Sequence, residues 1–92
     1  MRMANLIESI ERLRINGPTR IALGTEKKHY QIRLITLVGK EYILFAGDGI
    51  ELHTYVKSEV PSTLIAKEFV EAVGKNDVEI RQLQFFSSLL YA

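Results

Sequence analysis

The chain has 92 residues, of which 47% are hydrophobic and 25% charged, a composition that is typical of one globular domain, 1–92, and excludes the disordered class. It contains no cysteine, which excludes disulfides, thiolate catalysis and cysteine-based zinc sites. Eight basic and three acidic residues up to Lys40 give a net +5, whereas four basic and eight acidic residues from Glu41 on give a net −4, a division that favours a polyanionic partner or head-to-tail self-association.

The first predicted element is an amphipathic helix over about residues 5–15. Its apolar residues recur at helical spacing, and polar residues lie between them: Leu6, Ile7, Ile10 and Leu13. Asn5 suits the N-cap position, and Arg12 and Arg14 are expected on the solvent side near the C-terminus. The Asn-Gly-Pro sequence at 16–18 then predicts a turn.

From residue 19 the hydrophobic period changes from 3.6 to 2, which predicts strands near 19–23, 29–38 and 50–57. A further strand at 41–46 is apolar on both faces and suits the middle of a sheet. Turn residues at 38–41 and 47–49 predict hairpins between the last three of these strands. The alternation places inward the side chains of Ile32, Leu34, Ile50, Leu52, Thr54 and Val56.

A second amphipathic helix is predicted over residues 60–73, since Pro61 suits a first turn and Gly74 suits the end of a helix. A last strand is predicted from Val78 to about Phe85. The predicted fold is therefore α+β, in the order α-β-β-β-β-α-β: an antiparallel four- to five-stranded sheet with both helices on one face. The other sheet face is left to solvent or to a partner.

That uncovered face is the candidate binding surface. The side chains predicted on it are Arg20, His29, Gln31, Arg33, His53, Tyr55 and Lys57, joined either by Tyr42 or by Ile43 with Phe45. Cations neutralise phosphates and exposed aromatic rings stack on unpaired bases, so this pattern predicts contact with RNA or single-stranded DNA. The residues predicted to bind nucleic acid are Arg20, Lys27, Lys28, His29, Arg33, Tyr55 and Lys57. The alternative is an ordinary solvated sheet face.

The C-terminal segment is rich in apolar residues: Phe85, Phe86, Leu89, Leu90 and Tyr91. An apolar terminus either folds back on the domain core or forms a subunit interface. A small core favours assembly as a source of stability, so these residues are predicted to form the interface of a homodimer.

No motif for catalysis, metal binding or a cofactor is recognised in the sequence, so an enzyme is not expected. Two histidines, His29 and His53, are too few for a metal site. The first residues lack the apolar core of a signal peptide and no stretch spans a membrane, so we expect a cytoplasmic protein. The expected function is a small non-enzymatic module that binds RNA or single-stranded DNA. The alternative is a protein-interaction or assembly subunit.

Overall fold

The computed structural model describes residues 2–15, 20–74 and 79–84. Its elements have the predicted order: α1 (Met3–Arg14), β1 (Arg20–Gly24), β2 (His29–Leu37), β3 (Lys40–Gly47), β4 (Ile50–Val56), α2 (Ser62–Val73) and β5 (Glu79–Gln84). The strands form one sheet in the order β4-β3-β2-β1-β5, and every neighbouring pair is antiparallel. The predicted α+β fold class is confirmed.

Both helices cover the same face of the sheet, and the core lies between the two layers. The helices contribute buried apolar residues at helical spacing: Leu6, Ile10 and Leu13 of α1, and Ile65, Phe69 and Val73 of α2. Phe69 meets two sheet rings edge to face, with ring centroids 5.8 Å from Tyr30 and 5.4 Å from Phe45. No helix within the described ranges is long and apolar enough to cross a membrane.

The predicted helix start at Asn5 is wrong. Helix α1 begins at Met3, with Arg2 in the N-cap position and no side-chain cap. Asn5 instead lies inside the helix, where its carbonyl accepts a hydrogen bond from Ser9 Oγ at 2.9 Å. Met3 and Ala4 are good helix formers, so the helix extends past a residue that would otherwise suit a cap.

The prediction that Arg14 lies on the solvent side of α1 is wrong. Its side chain reaches the segment between β4 and α2. Its Nε donates to Ser62 Oγ at 2.7 Å, and its two terminal nitrogens donate to the carbonyl oxygens of Lys57, at 2.6 Å, and Val60. Ser62 Oγ in turn donates to Glu11 Oε2 at 2.8 Å. One guanidinium therefore ties the end of α1 to the start of α2.

The predicted alternation holds in β2 but is wrong in β4. In β2, Ile32 is buried and Arg33 is exposed. In β4, His53 and Tyr55 lie on the helix-covered side, opposite Phe45 and Ile43, while Leu52 is 63% exposed on the other side.

A β-bulge explains this reversal. Gly47 is opposite Ile50 but Phe45 is opposite His53, so two residue steps of β3 face three of β4. Ile50 packs against the core, as predicted, and the extra residue then reverses the facing of every later position. A strict period of two, counted from Ile50, therefore places the rest of β4 on the wrong face.

Two hairpins require glycine for different reasons, a positive φ in one and a close approach of two strands at the other. In the hairpin between β2 and β3, Val38 and Gly39 have φ values of 50° and 74°, the signs of a type I′ turn. Near the next hairpin, a Cβ on Gly47 would lie 2.5 Å from Tyr30 Cδ1 and 2.6 Å from the His29 carbonyl oxygen. Glycine at 47 thus allows the close approach of β3 to the start of β2.

Candidate functional site

The sheet face turned away from the helices, here called the open face, is covered by no helix in the described part of the chain. Strand pairing places two kinds of side chain on it. A polar group lies on β1 and the first half of β2: Arg20, His29, Gln31 and Arg33. A mainly apolar group lies towards β4: Ile35, Leu37, Tyr42, Leu44, Leu52, Thr54 and Val56.

Two arginines face each other directly on this surface. Arg20 of β1 and Arg33 of β2 are cross-strand partners, Arg20 half-buried and Arg33 exposed. Opposed residues of an antiparallel pair have Cα atoms about 4.5–5.5 Å apart, and like charges in that position destabilise a sheet. Guanidinium groups bind the oxygens of phosphates and carboxylates in a fixed, forked geometry.

The turn between β1 and β2 carries two further cations at one end of the sheet. Thr25 orders this turn, because its Oγ1 accepts hydrogen bonds from the backbone N–H groups of Lys27 and Lys28 at 3.2 and 3.0 Å. Its own N–H donates to the Lys28 carbonyl at 2.8 Å. Both lysine side chains belong to exposed residues, so the turn presents positive charge from a defined backbone.

His29 begins β2 and is held next to an acidic residue. Its backbone N–H donates to Asp48 Oδ2 at 3.0 Å, and its ring Nδ1 lies 3.9 Å from the same oxygen. The backbone N–H of Asp48 donates to the His29 carbonyl oxygen at 3.0 Å. The Asp48 carboxylate lowers the net positive charge at this end of the open face, so the cationic centre of the face lies nearer Arg20 and Arg33.

A shallow groove of about 250 Å³ lies on the open face beside Arg20 and His29. Its lining includes the side chains of Arg20, His29 and Gln31, together with the small residues Ala22, Ala46 and Gly47. Small side chains leave space beside the arginine, so the groove is open to a flat or extended ligand.

Two residues predicted to bind nucleic acid are misplaced by the predicted register. Tyr55 lies on the helix side, where its hydroxyl donates to Glu68 Oε1 at 2.6 Å. Burial, and next that hydrogen bond, raise the pKa of the Tyr55 phenol well above its usual range. Lys57 also lies on the helix side, and its Nζ is 3.0 Å from Glu41 Oε1. Neither side chain contributes to the open face.

His53, predicted on the open face, also lies on the other side of the sheet. Its ring stacks on Phe45 with centroids 4.4 Å apart, and its Nδ1 is 2.9 Å from the Glu51 carbonyl oxygen. In the described ranges, no group of three or more histidine and acidic side chains is placed to hold a metal ion.

The alternatives left open for β3 are decided by its pairing. Tyr42 faces the open side, opposite Ile35 and Val56, while Ile43 and Phe45 are buried in the core. Tyr42 is therefore the aromatic residue that the open face presents within the described part of the chain.

The structure thus places Arg20, His29 and Arg33 on the open face, together with Gln31 and Tyr42, which were also predicted there. Lys27 and Lys28 lie in the turn that joins β1 to β2. The predicted interface residues fall outside the described residues: Phe85, Phe86, Leu89, Leu90 and Tyr91. Comparisons of the chain with models of protein families, with curated proteins and with solved structures find no match.

Proposed function

We propose that this protein is a non-enzymatic module that binds single-stranded nucleic acid, RNA or DNA, on the open face. The observation that carries the proposal is the direct opposition of Arg20 and Arg33 on an uncovered sheet face. Guanidinium forks bind phosphate oxygens, and contacts to phosphates are the commonest contacts between proteins and nucleic acids.

The extent of the basic surface favours a polymer over a small anion. Lys28 and Arg33 are five residues apart along the chain, which in extended strand corresponds to about 17 Å. Lys27, Lys28, Arg20 and Arg33 therefore offer contacts to several successive phosphates. Tyr42 adds a ring on the same face, on which a base can stack.

The proposal is tested by fluorescence anisotropy with a mixed-sequence single-stranded oligonucleotide and its duplex at several salt concentrations. Three or four phosphate contacts predict that the logarithm of affinity falls against the logarithm of salt with a slope of about −2 to −3. The Arg33→Ala variant should bind more weakly and reduce that slope by about 0.7. Lys67→Ala is the matched control, because Lys67 is an exposed cation on α2.

Tyr42→Ala separates stacking from charge. Loss of a stacked base weakens binding by about 1–3 kcal/mol and leaves the salt slope unchanged. If the unmodified protein shows no salt-sensitive binding to either oligonucleotide at low ionic strength, the proposal is wrong.

A second function, interaction with another protein without nucleic acid, is favoured by the apolar part of the open face. Leu37 and Leu52 are 57% and 63% exposed there, and Val38 at the adjoining turn is fully exposed. Exposed apolar residues grouped on one surface are typical of protein contacts. This alternative predicts no effect of Arg33→Ala on any oligonucleotide, because none binds.

A further inference from the structure

The outer edge of β4 is the second surface of interest. β4 is the terminal strand of the sheet, and in the described part of the chain no strand pairs with its outer side. Its seven residues, Ile50–Val56, include no proline and no lysine. Proline and lysine are two of the usual features that protect an exposed edge strand against pairing. A bulge is another, and the bulge of β4 lies only at its beginning.

The backbone of β4 offers a definite set of hydrogen-bonding groups outward. The N–H of Lys57 donates to the Glu41 carbonyl at 3.1 Å, so Lys57 faces β3. Because antiparallel pairs alternate, the backbone groups of Leu52, Thr54 and Val56 point to the outer edge. The Val56 carbonyl accepts hydrogen bonds from the N–H groups of Glu59 and Val60 instead. In the described part of the chain, this leaves Leu52, Thr54 and the Val56 N–H for a partner strand.

The two ends of this edge differ in charge on the helix side. Beside the start of β4 lies a depression of about 430 Å³ whose lining includes Glu51, Glu68 and Glu71. Beside its end lies another of about 460 Å³, lined in part by Arg14, Lys40 and Lys57, with Glu41 among them. The edge is therefore acidic where β4 begins and mainly basic where it ends.

We propose that two copies of this chain pair antiparallel along their β4 edges, about a two-fold axis through Thr54. In this register Thr54 is opposite Thr54 of the second copy, His53 opposite Tyr55, Leu52 opposite Val56, and Glu51 opposite Lys57. Each cross-strand pair is of a favourable type: two threonines, two rings, two apolar residues and two opposite charges. The acidic end of each copy meets the basic end of the other.

Neighbouring registers lack this complementarity. An axis through His53 places Glu51 opposite Tyr55 and Leu52 opposite Thr54, so the ion pair is lost. An axis through Tyr55 places His53 opposite Lys57, which opposes two positive charges when the histidine is protonated. The backbone fits the Thr54 register as well, because the Thr54 and Val56 N–H groups meet the Thr54 and Leu52 carbonyls of the second copy.

The two-fold axis is perpendicular to the sheet, so the helices of both copies lie on one side and the two open faces form one continuous surface. The inference does not depend on the ligand of that surface.

A single introduced cysteine tests the register, because the chain has no cysteine of its own. In the Thr54→Cys variant the two Cα atoms at the axis are expected about 5.5 Å apart, within the range of about 4.4–6.8 Å that a disulfide bridges. Leu52→Cys is the matched control, because its two copies lie about 14 Å apart along the strands. Mild oxidation should cross-link the first variant and not the second.

Light scattering and sedimentation measure the assembly itself. The unmodified protein should be dimeric at high micromolar concentration, and Thr54→Pro should be monomeric with an unchanged circular dichroism spectrum. Proline removes an N–H that points outward and takes no part in the pairing of β4 with β3. Thr54→Val, which keeps the N–H, should remain dimeric.

A monomeric unmodified protein would overturn the inference. A dimer that persists in Thr54→Pro, together with the absence of a cross-link in Thr54→Cys, would also overturn it, and would locate the interface elsewhere, including residues 85–92. Cross-linking of Leu52→Cys in place of Thr54→Cys would overturn the register.

Discussion

The hydroxyl of Tyr55 and the carboxylate of Glu68 are joined by a 2.6 Å hydrogen bond that links β4 to α2. Tyr55 also packs against Phe45, with ring centroids 5.8 Å apart, so its ring belongs to the core while its hydroxyl reaches the helix. A residue predicted to stack on nucleic acid therefore stabilises the contact between the two layers of the fold.

We expect Tyr55→Phe to lower the free energy of unfolding by about 1–2 kcal/mol, because a hydrogen bond to a charged acceptor is lost and the ring is kept. Tyr42→Phe is the matched control, since Tyr42 lies on the open face, and should change stability by less than about 0.5 kcal/mol. Urea unfolding of the three proteins near neutral pH measures both effects. Equal stabilities of the two variants would contradict the role given to Tyr55.

The same pair predicts a dependence on alkaline pH. The Tyr55 pKa is raised above its ordinary value of 10.0, first by burial and then by Glu68, so the folded chain keeps a proton that the unfolded chain releases. Above pH 10.0 the unfolded state therefore binds fewer protons than the folded state, and the free energy of unfolding falls as pH rises. The advantage of the unmodified protein over Tyr55→Phe should therefore be complete below pH 10 and shrink above it. A constant difference would argue against this titration.

Arg14 is expected to matter far more for stability than Arg12, its neighbour on α1. Arg14→Ala removes hydrogen bonds to Ser62 and to the Lys57 and Val60 carbonyls, and we expect a loss of about 2–3 kcal/mol. Arg14→Lys should recover only part of this loss, because an ammonium lacks the guanidinium fork. Arg12→Ala, at an exposed position, should stay within about 0.5 kcal/mol of the unmodified protein in thermal unfolding.

Replacement of Val38 by a residue that tolerates a positive φ is expected to stabilise the protein. A β-branched residue at a φ of 50° is strained, and Val38 is fully exposed, so its side chain gains little from packing. Val38→Asn creates the Asn-Gly pair that type I′ turns prefer and should raise the free energy of unfolding by about 1 kcal/mol. Val38→Thr keeps the branched Cβ and should show no such gain. A lower melting temperature for Val38→Asn would count against the strained turn.

The sequence predicts what depends on local period, and it misses what depends on distant pairing. β2 was predicted correctly because Ile32 and Arg33 lie in an undisturbed alternation. The bulge opposite Phe45 is set by how β3 and β4 meet at their hairpin, and no residue pattern in β4 reveals it. Tyr55 and Lys57 were assigned to the wrong face for this reason.

Arg14 was missed for a related reason. The acceptors of its hydrogen bonds are 43 to 48 residues away in the chain, so helical spacing alone indicates only that it is polar and near the end of α1. The opposition of Arg20 and Arg33 likewise depends on the register of β1 on β2. Alternation alone predicts only that both side chains lie on the open face.

The place of β5 in the sheet has a consequence during synthesis. β5 pairs with the outer edge of β1, with Gln84 opposite Arg20, yet it follows every other element of the described residues in the chain. Strands β1 to β4 are contiguous hairpins and can form while later residues are still being made. The edge of β1 then lacks its strand on the order of seconds, at about 5–20 residues per second, until residues 79–84 leave the ribosome. The edge of β1 is thus open to pairing with other chains in that interval, and it is covered once residues 79–84 have emerged and paired with it.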